Sequence, residues 1–181
     1  MKKLAILSLC FLLVGLMIQP ATAQDRGSDE ARVSPNAEVS QTIGTTEVLV
    51  TYGRPGVRDR DIFGGLVAYG QVWRTGANES TAIVFSDDVM IEGEEVSAGT
   101  YSLYTIPGED EWTIIINEKL SWGTQYDESM DYVRVTAEPE ESFNVEQMMI
   151  YFEDVSENEG ELVIHWDDTK VPVTISTGGG M

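Results

Sequence analysis

The chain has 181 residues, and its 31 Asp and Glu outnumber its 11 Lys and Arg, for a formal net charge of −20 at pH 7. A surface this negative repels nucleic acid and anionic membranes, which are themselves polyanions. With 42% hydrophobic residues the chain is long and apolar enough for one ordinary domain with its own core, and its single cysteine leaves no disulfide to staple it.

In chain order, the first 23 residues read as a secretory signal. Lys2 and Lys3 form a charged start, residues 4–18 are almost entirely apolar, and Ala21-Thr22-Ala23 gives a small-residue cleavage site, so cleavage is expected after Ala23. The apolar run is shorter than the roughly 20 residues a membrane helix requires. The expected product is secreted or periplasmic, with no stable membrane insertion. Cys10 leaves with the signal, which removes disulfides and thiolate metal sites from consideration. Residues 24–36 are polar and nearly free of large apolar side chains, and they read as a disordered leader. The domain is expected over 37–175, and 176–181 reads as a flexible tail.

Within the domain the pattern is one of short strands. Residues 47–52 (EVLVTY), 81–86 (TAIVFS), 100–106 (TYSLYTI), 112–117 (WTIIIN), 132–137 (YVRVTA), 145–152, 162–166 and 171–175 are rich in β-branched and aromatic residues. Glu92-Gly93 separates two short apolar runs, at 89–91 and 94–96, as a hairpin turn would. Pro107-Gly108-Glu109-Asp110 has the residue chemistry of another turn. No window carries a convincing 3.6-residue period with caps. The fold class is therefore all-β, an antiparallel β-sandwich of jelly-roll-like type. Residues 62–73 break the pattern with three glycines and no clean alternation. They read as a long ordered loop holding at most one helical turn. Such loops on rigid β scaffolds are where function tends to sit.

The basic residues are unevenly placed. Once Lys2 and Lys3 are removed, four of the remaining nine, Arg54, Arg58, Arg60 and Arg74, fall in this Gly- and Arg-rich region. A guanidinium offers a planar fork of donors matched to carboxylate, sulfate or phosphate. Gly53, Gly56, Gly64 and Gly65 could let backbone N–H groups approach the same anion. The opposing reading is that each Arg pairs with an internal acid and pins the loop. Of the four tryptophans, Trp112 and Trp166 fall on apolar strand faces and read as core, whereas Trp73 and Trp122 sit in loop-like sequence and are the better surface candidates. Asn78 and Glu79 could add hydrogen bonds to a polar ligand, although turn chemistry accounts for them more simply.

The stretch Tyr52-Gly53-Arg54-Pro55-Gly56-Val57-Arg58, followed by Ile62-Phe63-Gly64, Leu66-Val67, Tyr69-Gly70 and Val72-Trp73-Arg74-Thr75-Gly76-Ala77-Asn78, resembles exported bacterial proteins of domain-of-unknown-function family 2911 (DUF2911). The resemblance continues through residues 98–103, 105–108 and 111–113, then more weakly at His165-Trp166 and 171–173. Asp59 and Ala68 depart from the Gly and Pro that members often carry there, which bears on local turn geometry. The resemblance implies an exported, mostly β domain and no established activity.

Catalytic chemistry finds no anchor. His165 is the only histidine, so a three-histidine zinc centre is impossible, and no Gly-x-Ser-x-Gly elbow is present to pair with it. No aspartate pair sits in a calcium-loop pattern, and no cofactor or metal is expected. The leading reading is a noncatalytic binding module. Its candidate site residues are Arg54, Arg58, Arg60, Trp73, Arg74 and Asn78, and its partner would be an anionic small molecule, a glycan-like ligand or an acidic protein segment. A glycan-acting hydrolase with a carboxylate pair and a structural protein of the cell envelope remain open as alternatives.

Overall fold

The computed structural model of the chain describes residues 26–27 and 30–178. The expected signal at 1–23 lies outside these residues. Among the described residues ten strands form two antiparallel sheets: β1 (Asn36–Ile43), β2 (Thr46–Gly53), β3 (Thr81–Phe85), β4 (Val89–Ile91), β5 (Glu94–Val96), β6 (Gly99–Ile106), β7 (Trp112–Asn117), β8 (Asp131–Ala137), β9 (Glu140–Glu153) and β10 (Glu159–Thr177). One sheet has the order β1-β2-β3-β6-β7-β8 and the other β5-β4-β10-β9. The chain is thus an all-β sandwich, and no described helix is long and apolar enough to cross a membrane.

Alternation along each strand explains the packing, because side chains two apart share a face. Val48, Val50 and Tyr52 of β2, Ile83 and Phe85 of β3, Leu103 of β6 and Ile114 and Ile116 of β7 meet Ile150 of β9 and Leu162, Ile164, Val173 and Ile175 of β10 in one buried cluster. Tyr52 also bridges the sheets. Its hydroxyl accepts the Ile150 N–H at 2.9 Å and donates to the Ile150 carbonyl at 3.4 Å. The outer face of the six-stranded sheet is partly covered too. Tyr104 packs edge-on against Tyr126 and hydrogen-bonds Ser121, so the segment after β7 folds back over β6.

The expected strands are present, with three differences. Residues 162–166 and 171–175 belong to one long strand, β10, which the polar run between them bends rather than breaks. Register shifts flank Asp167, whose φ is +57°. The tail is shorter than expected, because Ser176 and Thr177 still pair with Met90 and Val89. Several of the described residues within the expected leader at 24–36 are held in place. Arg26 is buried, donating to the carbonyls of Ser80 (2.8 Å) and Ala77 (3.0 Å), and Arg32 pairs with Glu79 at 2.7 Å. Asn36 opens β1, a polar edge strand whose half-buried Ala37 and Val39 give little hydrophobic signal.

Candidate functional site

Residues 54–80 connect β2 to β3 without a helix. Tight turns and single bridges order the connection instead: Phe63 bridges Val67, and Trp73 exchanges backbone hydrogen bonds with Thr105 of β6 at 2.7 and 2.9 Å. Two aromatic side chains of the loop plug the end of the sandwich. Phe63 meets Trp112 of β7 at 4.8 Å between ring centroids, and Trp73 stacks on Trp166 of β10 at 5.9 Å with the planes 20° apart. The loop is therefore anchored to both sheets at once.

Above this aromatic plug lies a cleft of about 320 Å³, with Arg58, Arg60, Arg74, Trp73 and Trp166 among its lining residues. Arg58 and Arg60 are exposed at its rim, held by backbone. Arg58 donates to Val33 O at 2.6 Å, and Arg60 to Gly56 O at 2.6 Å and Val57 O at 2.9 Å. Arg74 lies deeper. Its Nε is buried with no hydrogen-bond partner, and burial holds its pKa below the ordinary arginine value against an opposing pull from Tyr104. Trp166 is 1% exposed, and its Nε1 likewise has no partner.

Among the described residues, none of Arg54, Arg58, Arg60 and Arg74 forms an ion pair with a carboxylate. The nearby acids are engaged elsewhere. Glu79 serves Arg26 and Arg32, and Glu146 accepts the backbone N–H of Arg58 at 3.1 Å. Burial alone would raise the Glu79 pKa, but the Arg32 hydrogen bond, a backbone N–H and the two arginine charges together hold it below the usual carboxylate value. The expectation that internal acids neutralise the clustered arginines is thus not met.

The backbone here is strained. Of seven non-glycine residues with positive φ among those described, Arg58, Asp59, Thr75 and Asn78 lie in this connection. At +53° the β-branched Thr75 is a genuine outlier, held by a Thr81 hydroxyl bond to its carbonyl at 2.7 Å. Such conformations persist only where surroundings overdetermine them, and they cluster at functional sites.

The structure gathers four of the six sequence-derived candidates, Arg58, Arg60, Trp73 and Arg74, around the cleft and places two outside its lining. Arg54 reaches β9, donating from Nε to Met148 O at 2.8 Å, and so ties the loop to the second sheet. Asn78 donates to Ser34 O at 3.3 Å and fixes the N-terminal segment instead. Trp73 is no surface residue. At 9% exposed it is buried by its stack on Trp166, and its own Nε1 donates to Gly76 O at 3.2 Å, while Trp122 is 52% exposed. The glycine amides of the loop centre are already used, Gly64 N–H on Val67 O and Gly65 N–H on Ile62 O, so neither is free for an anion. Sequence reasoning missed Val33 and Ser34, which line the cleft from the supposed leader, and Trp166 among the lining residues, which alternation marks only as core.

A smaller cleft of about 180 Å³ is lined by the aromatic residues Phe63, Tyr69 and Trp112 together with Glu109, Glu140, Glu141 and Asp168. Lys170 partly neutralises it through Glu140 at 3.1 Å.

Fold and site together define a β-sandwich domain with a cationic, aromatic-walled cleft at one end. The chain belongs to the family described as protein of unknown function (DUF2911), whose sequence model matches residues 34–175. No curated protein and no solved structure matches it.

Proposed function

We propose that this is an exported, noncatalytic binding module that takes a small anionic ligand in the cleft of Arg58, Arg60 and Arg74. The observation that carries this reading is a concentration of arginines with no carboxylate of their own in a protein of net charge −20. A buried or half-buried cation is costly unless paired, so an anion from outside completes the site. The cleft's size is at the small end of small-molecule pockets, and its lining mixes apolar residues with Arg58, Arg60 and Arg74. Export follows from the first 23 residues, with their charged start, apolar run and Ala21-Thr22-Ala23 site.

The test is a thermal-shift screen of the purified protein with carboxylates, phosphates, sulfate and neutral sugars. A ligand at a hundred times its Kd stabilises by about 2.7 kcal/mol. At about 2–4 °C per kcal/mol for this size, the melting temperature rises by about 5 °C or more. Shifts with anions alone, lost in Arg74→Met, support the reading. Equal shifts in wild type and Arg74→Met would overturn it.

The acidic hollow beside Phe63 favours one second reading, a glycan-acting hydrolase, because aromatic faces beside carboxylates suit sugar rings. It requires polysaccharide turnover that disappears in Glu141→Gln or Asp168→Asn.

A further inference from the structure

We propose that the protein self-associates through β1, two copies adding their first strands edge to edge, antiparallel, about a two-fold axis at Val39. β1 ends the six-stranded sheet and pairs with β2 alone, over eight unbroken register positions. The ladder fixes which of its backbone groups face outward, because hydrogen-bonded positions alternate along an antiparallel pair. The Arg54 N–H donates to Pro35 O at 2.8 Å, one step before the Asn36–Gly53 pair, so the odd residues Ala37, Val39, Gln41 and Ile43 bond β2. The bond from Ser86 N–H to Glu47 O at 3.0 Å agrees, since it turns the odd residues of β2 toward β3. Asn36, Glu38, Ser40 and Thr42 therefore point their N–H and C=O groups away from the sheet. Glu38 and Ser40 are exposed, and their backbone groups meet no partner among the described residues.

An open edge is a template for further pairing, and folded proteins guard theirs with brevity, charge, bulges or a covering segment. The other three edges are guarded. β5 is three residues long, with Glu94 and Glu95 exposed. β9 is partly covered by the loop after β2, through Met148 N–H on Pro55 O at 2.9 Å and Val57 N–H on Glu146 O at 2.8 Å. β8 carries an ion-pair network of Arg134 with Glu128 and Asp131, and a register shift interrupts its ladder. β1 has none of these devices. It contains no lysine, proline or glycine, its register does not shift, and Glu38 is the one charge in eight residues.

The occupant that fits is a second copy, because the strand complements itself. With Val39 against its own copy, Glu38 lies opposite Ser40, Ala37 opposite Gln41 and Asn36 opposite Thr42. Even residues meet even residues, as the outward groups require, and a carboxylate faces a hydroxyl. The two Val39 side chains, half buried at the margin of the core, cover each other. Sliding the register one way sets Glu38 against Glu38, a like-charge pair. Sliding it the other way faces Val39 with Gln41 and leaves the apolar margin open. Two molecules of net charge −20 repel at long range, so salt tightens the contact. One strand pair is small for a protein interface, so the dimer is weak and reversible.

The test is sedimentation equilibrium of protein purified from the exported fraction, from about 10 µM to about 1 mM, at low and high salt. Wild type is expected to pass from monomer to dimer across this range, and further toward dimer as salt rises. Ser40→Pro removes an outward N–H and no bond to β2, so it should stay folded by circular dichroism. By symmetry it deletes two hydrogen bonds of the interface, and dimerisation should weaken by about tenfold or more. Single cysteines then read the register, with Cys10 replaced by serine. Val39→Cys should give a disulfide-linked dimer on mild oxidation. Ala37→Cys and Gln41→Cys should each stay unlinked, about 14 Å from their own copies, and should link when the two are mixed. A protein that stays monomeric throughout overturns the proposal. So does a dimer that Ser40→Pro leaves unchanged or that salt weakens, the latter being the mark of acids from one copy docking on the arginines of another. If Ser40→Pro fails to fold, the cysteines decide alone, and the proposal falls if Val39→Cys stays unlinked or all three variants link equally.

Discussion

Arg74 should be a residue the fold would rather lack. Its Nε is buried without a partner, no described carboxylate pairs with it, and burial depresses its pKa. Arg74→Met keeps a long unbranched stem over Gly123 and removes both the charge and the orphaned N–H. An unsatisfied buried donor costs about 1–3 kcal/mol. Apolar replacement of buried ions is neutral to stabilising by about 1–4 kcal/mol. Since Arg74 is only partly buried, the low end applies, a gain of about 1 kcal/mol, or a melting temperature raised by about 2–4 °C. Arg54→Met is the contrasting change, because it cuts the bond to Met148 O that ties the loop to β9. It should cost about 1 kcal/mol and leave anion affinity unchanged. Calorimetric melting of the three proteins, with and without the anions of the thermal-shift screen, reads both effects. If Arg74→Met lowers the melting temperature by more than about 4 °C, Arg74 is a strut, and the reasoning that its missing partner comes from outside is refuted.

The remaining predictions concern the frame around the cleft. Glu79→Gln removes the partner of Arg26 and Arg32 and should destabilise by about 2–3 kcal/mol, the carbonyls around Arg26 softening the loss. The folded-state pKa of Glu79 is depressed below 4.5, so its contribution is present above that pH and vanishes as pH falls through the folded value. Melting curves of wild type and Glu79→Gln should accordingly converge in acid, and a constant gap down to pH 3 would contradict the pairing. Tyr52→Phe leaves the Ile150 N–H unsatisfied between the sheets, a loss of about 1–3 kcal/mol by denaturant unfolding. Gly123→Ala would place a Cβ 1.9 Å from Arg74 Cδ and 2.7 Å from Asn78 O, so it should displace Arg74 and reduce the anion-induced shifts of the thermal screen. Tyr126 is pushed up to about 12 by burial and by its bond to the Asp131 carboxylate at 2.6 Å. It should be the last tyrosine to ionise in an absorbance titration, and that phase should be missing in Tyr126→Phe. Its raised value stabilises the fold below pH 10 and is lost as pH climbs toward 12.

What could be read in the sequence, and what could not, divides along a physical line. The strands at 89–91 and 94–96 were legible from the Glu92-Gly93 turn between them, both residues at positive φ, and the one at 112–117 from its run of β-branched residues. β1 was not, because its inward Ala37, Val39 and Gln41 are only half buried and its outward residues are polar. For the site, composition was enough to locate Arg58, Arg60 and Arg74 in one loop, since charge clustering survives without coordinates. Three-dimensional bookkeeping supplied the rest. That Arg54 turns to β9, that Glu79 is claimed by Arg26 and Arg32, and that Trp73 stacks on Trp166 are all contacts across more than forty residues of chain. Periodicity reports only which face a side chain is on. It marks Trp166 as core, correctly, and is silent on whether the indole nitrogen in that core has met an acceptor.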